Sequence, residues 1–109
     1  FKLILQYVDQ ALSVAQNQLS ESAGIITTLQ PRAQESNLHS DMLQKLKSAY
    51  SSVTQTFSHM QQAKVTRKNP FTNMPLNQKD AKNLLQAAFN QMKELLHVTN
   101  VGKNMVRGC

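Results

Sequence analysis

The chain opens with FKLILQYVDQALSVAQNQLSESAGIITTL (residues 1–29), and the spacing inside this stretch decides the fold. Phe1, Leu5, Val8, Leu12, Ala15, Leu19, Ser22, Ile26 and Leu29 follow one another in alternating steps of four and three. A helix places residues three and four apart on one side, so this is the apolar face of an amphipathic helix with a seam like that of a coiled coil. Ile4, Ala11 and Ile25 widen the stripe. Gly24 within it costs about 1 kcal/mol relative to Ala, a small loss beside so many anchors.

The same pattern recurs twice. Leu43, Leu46, Tyr50, Val53, Phe57 and Met60 form a second stripe, flanked by Met42, Ala49 and Ala63. Ala81, Leu84, Leu85, Ala88, Met92, Leu95, Leu96 and Val98 form a third. Proline removes an N–H donor and clashes with the preceding turn. Pro31, Pro70 and Pro75 therefore mark breaks near 30 and over 69–77. Pro31 could open the second helix at its first turn, but Ser36, Asn37 or Ser40 can cap it, which favours a loop over 30–36. Asn77 caps the third helix, with Asp80 three residues on, where a carboxylate suits a helix N-terminus. Gly102 is expected to loosen that helix's end.

The resulting expectation is an all-α chain, 1–109, with helices over 2–29, 37–66 and 78–101 and a proline loop over 69–77. No stretch alternates with the period of a strand. Matched lengths and short links give an antiparallel up-down-up three-helix bundle. The regularity of the first stripe also allows a fourth helix, from another chain or segment, to complete the bundle. The chain starts without Met and inside an apolar pattern, which reads as part of a larger protein.

Composition restricts function more than it identifies it. The chain has 109 residues, of which 40% are hydrophobic and 17% charged. Its polarity lies in neutral side chains: 13 Gln, 9 Asn, 9 Ser and 7 Thr. That balance excludes a charge-driven disordered tail, and the single cysteine excludes a disulfide scaffold. Cys109 cannot pair within the chain and is expected to be a reduced thiol at the terminus, with pairing to another chain the alternative. No signal-peptide pattern, membrane-length apolar run or Asn-x-Ser/Thr sequon occurs. The compartment stays open, with the cytoplasm favoured.

Catalytic and metal constellations do not assemble on paper. His39, His59 and His97 have no Cys or carboxylate at ligand spacing to two of them, and none of the three glycines is near another, as a phosphate loop requires. Cys109 has no base close to it in sequence. Neither an enzyme nor a cofactor is expected.

Two asymmetries remain. Residues 1–63 balance four cations against four carboxylates, so the whole formal charge of +6 lies in residues 64–109. Lys64, Arg67, Lys68, Lys79 and Lys82 bracket the proline loop as a basic patch. Such a patch could meet an acidic protein, an anionic membrane or, less readily with one nearby aromatic and no stacking platform, nucleic acid through residues 64–82. The loop itself, Asn69 to Asn77, carries Phe71, Met74 and Leu76 in what should be a polar connection. Asn-Pro favours a turn that pushes Phe71 outward, and Asn-Pro-Phe is also the tripeptide that EH domains read. The simpler expectation is that the three apolar side chains cap the open end of the core; the alternative is a partner-binding loop.

Neutral faces, with Gln6, Gln10, Gln16, Asn17 and Gln18 on the first helix and Gln55, Gln61 and Gln62 on the second, tolerate the approach of another helix. The reading is therefore a non-catalytic interaction module of the scaffold or adaptor kind, binding a partner by helix–helix packing or associating with itself. The alternatives are a lipid-associating helical protein using its basic end and a nucleic-acid binder.

Overall fold

The structure, a computed structural model, describes residues 2–107. Phe1 at the head of the first stripe, and the thiol of Cys109, lie outside the described residues. Three helices run α1 Lys2–Leu29, α2 Asn37–Thr66 and α3 Gln78–Arg107, with a 3-10 turn at Gln30–Arg32. All three pack against one another in a rod of 50 × 22 × 17 Å, and the described residues form no strands. Short links make each helix antiparallel to the next, so α1 and α3 run in the same direction. No described helix is long and apolar enough to cross a membrane.

The stripes meet along the axis. Val8, Ala11, Ala15 and Leu29 of α1 join Leu43, Leu46, Val53 and Met60 of α2 and Ala81, Ala88, Leu95 and Val98 of α3 in one core. Each fully buried Leu contributes roughly 1.5–3 kcal/mol. Alanines at 11, 15, 49, 63, 81 and 88 bring the backbones close, while Leu12, Leu19, Ile25 and Ile26 close the margins. Ser22 keeps its stripe position by hydrogen bonding inside the core. Its hydroxyl donates to the Gln18 carbonyl at 2.6 Å, so its single proton is used and Thr99 Oγ1, 3.0 Å away, donates to it.

Local signals set the ends. Ser36 caps α2, accepting from the His39 amide at 3.2 Å, and the Asn77 side chain accepts from the Asp80 amide at 2.8 Å. Arg67 ends α2 in the left-handed region. Two expectations are corrected here. Gly102 does not end α3, which runs to Arg107: it is buried, and a Cβ there would lie 3.0 Å from Ile25 Cγ2 and 3.5 Å from Leu29 Cδ1. The glycine marks a close helix contact. Beyond it, Val106 packs on the core, and Arg32 Nη1 donates to its carbonyl at 3.4 Å, a cation placed where a helix C-terminus favours one. Leu96, read as part of the third stripe, is half exposed because Leu95 takes the core position.

Candidate functional site

The proline loop is built by its own side chains. The Asn69 carboxamide oxygen accepts from the amides of Phe71 (2.8 Å) and Thr72 (3.2 Å), an Asx turn that fixes the segment after Pro70. Asn69 N donates to the Met74 carbonyl and Asn73 N to the Asn69 carbonyl, both at 2.8 Å, with Asn73 left-handed at φ 61°. Leu76 N closes the loop by donating to the Arg67 carbonyl at 2.9 Å. The three apolar loop residues then separate. Leu76 packs against the core, whereas Phe71 and Met74 remain 69% and 63% exposed. Only Leu76 caps the bundle.

Phe71 is turned back over α2, edge-on to His59 with ring centroids 4.6 Å apart. Together they roof a cavity of about 330 Å³ between α2 and α3, lined also by Gln55, Thr56, Asn69, Asp80, Asn83, Leu84, Ala87 and Gln91. Its one imidazole and one carboxylate come from His59 and Asp80. The Thr56 hydroxyl is engaged by the Ser52 carbonyl at 3.0 Å and by the Gln91 carboxamide. Among the described residues, no group of three His, Cys, Asp or Glu side chains converges as a metal site would require.

The basic residues are less uniform than their spacing suggests. Lys64 pairs with Asp9 on α1, and Arg67 turns its Nε to the Lys64 carbonyl at 3.1 Å, finishing α2. Lys68, Lys79 and Lys82 are exposed and form no ion pair among the described residues. Loop closure puts Lys68 beside Pro75, so these cations stand around the same end of the rod.

A second surface lies along the other side of α3. Tyr7, Val14 and Glu21 recur every seven residues on α1, as do Lys82, Phe89, Leu96 and Lys103 on α3. The two columns face each other: Glu21 pairs with Lys103, and Gln18, Glu21 and Ser22 share a small opening of about 20 Å³ with Leu96 and Thr99. The Ser22–Thr99 bond sets α1 residues level with α3 residues 77 positions later. Val14 therefore falls between Phe89 and Leu96, and Tyr7 before Phe89. With Leu3, which precedes Tyr7 by one turn, these side chains interleave along the α1/α3 groove, each between 47% and 60% exposed. Gln18 Oε1 is buried at the margin with no hydrogen-bond partner among the described residues.

Sequence reasoning passed over this strip. Its only signal was a set of apolar residues four and seven apart on the polar side of two helices, and nothing in either helix alone says that the sets adjoin. No protein-family model, characterised protein or solved structure matches the chain.

Proposed function

We propose that this chain is a non-catalytic interaction module whose α1/α3 groove receives a helix of another protein. One observation supports the reading: Leu3, Tyr7, Val14, Phe89 and Leu96 form a continuous exposed strip although the core behind them is already closed. Scattered surface leucines are ordinary, but contiguous apolar strips mark contact sites. Anchors spaced at helical intervals between two parallel helices fit the groove mode of helix recognition. A fourth helix lying there would turn the three-helix rod into a four-helix bundle, antiparallel to both neighbours.

Amide chemical-shift mapping tests this. The 109-residue chain is titrated separately with amphipathic helical peptides, anionic phospholipid vesicles and duplex DNA. Peptide-induced shifts concentrated on α1 and α3, and lost in the Phe89→Gln/Leu96→Gln variant, are expected. Shifts with vesicles alone, or with DNA alone and fading steeply with salt, would discard the reading in favour of the basic loop end.

A further inference from the structure

The charges beside the groove narrow what it receives. Resting on the reading above, we infer that the occupant is an amphipathic helix carrying carboxylates along the edge that faces α3, and neutral residues along the edge that faces α1. Lys82 continues the Phe89–Leu96 column and Lys93 stands on its outer side, both exposed and without an ion pair among the described residues. They are 11 positions apart, about 16 Å along the helix. Across the groove, α1 presents Gln10 and Asn17. The one carboxylate that borders the groove, Glu21, is already matched by Lys103.

This arrangement selects among occupants. A second copy docked by the same groove would bring Lys82 and Lys93 against another neutral α1 edge or another basic α3 edge, and no unmatched carboxylate borders that groove to meet them. A helix with acidic residues 11 positions apart meets both cations while its apolar face covers the strip. The strip runs from Leu3 to the level of Leu96, roughly 24 Å, so about 16–18 residues of helix are enough. The occupant runs antiparallel to α1 and α3, because its dipole then opposes two aligned neighbours. Exposed charge pairs add little affinity each but act on register and on which partner is admitted.

A displayed library of 18-residue helices tests the inference, with leucine fixed at the groove-facing heptad positions and both edges randomised. Enrichment of Asp and Glu on one edge only is expected. The selected peptides should bind the Lys82→Glu/Lys93→Glu variant about tenfold more weakly, and the Phe89→Gln/Leu96→Gln variant not measurably, with both variants' melting curves confirming the fold. Selected helices with no acidic bias, or indifferent to the charge reversal, would overturn the inference and leave the groove reading standing. Selection of helices indifferent to Phe89 and Leu96, or of none, would overturn both. Light scattering that finds a dimer undone by Phe89→Gln/Leu96→Gln would assign the groove to a second copy and overturn the inference as well.

Discussion

The two flanks of α3 face different neighbours and end differently. Toward α2 the helix presents Asp80, Asn83 and Gln91, which line a cavity of mixed polar and apolar walls beside His59 and Phe71, and Gln91 meets Thr56. Toward α1 it presents Phe89 and Leu96, which lie level with the Tyr7–Val14 stretch and remain half exposed. Polar side chains at a helix margin can satisfy one another or water in place. Apolar ones at the same depth keep a hydration cost that only a further surface removes. The contrast separates a margin where a polar side chain, Gln91, finds a partner from one that is apolar and half exposed.

The largest test of that contrast uses two adjacent leucines. Leu95→Ala should cost about 2–5 kcal/mol through lost burial and the cavity left behind, whereas Leu96→Ala should stay within about 0.5 kcal/mol, as exposed substitutions do. Urea denaturation of both variants measures the difference. Comparable losses would mean that Leu96 belongs to the core and that the α1/α3 flank is closed.

A smaller effect compares the polar pairs across the two flanks. Thr99→Ala removes the donor to Ser22 inside the core and should cost on the order of 1 kcal/mol. Gln91→Ala should cost less, because Gln91 is only half-buried at the cavity margin whereas Thr99 is buried. A reversed order in thermal melts would place the structural polar contact on the α2 side.

The smallest effect concerns the two glycines that bear on α1. Gly24 faces open space, with nothing within 4 Å of an added Cβ. Gly24→Ala should raise stability by about 0.4–1 kcal/mol by restricting the unfolded chain. Gly102→Ala should gain less or lose, since its Cβ would press on Ile25 at 3.0 Å. Equal gains would show that α1 and α3 can part at that level without cost.

Features that depend on one helix at a time were legible in the sequence. The stripes, the cap at Asn77 and, among the three candidates for α2, the cap at Ser36 follow from spacing and side-chain chemistry within a few residues. Gly102 misled because the same residue that weakens a helix end also lets two helices touch, and only the neighbour at Ile25 distinguishes the cases. Leu96 misled because Leu95 fills the core position at that level and leaves its neighbour at the α1 margin, whereas Leu84 and Leu85 are both buried. Met74 and Leu76, two positions apart in the loop, part company through the closure of Leu76 onto Arg67, a contact that spacing does not encode. The α1/α3 strip was hidden for the same reason: the Glu21–Lys103 pair and the Ser22–Thr99 bond align two columns that lie 77 residues apart in the chain.

An odd number of helices has a mechanical consequence. Because α1 and α3 point the same way, Lys2 and Arg107 lie at opposite ends of the rod, about 40 Å apart along the axis. Tension applied through these two residues would run lengthwise, sliding α1 past α3 in shear instead of peeling one helix from the other. Alanine and glycine contacts at Ala15, Ala88 and Gly102, with the Ser22–Thr99 bond among them, would have to fail nearly together. A rod joined through its two ends in this way would resist stretching far better than a hairpin of the same helices pulled apart from one end.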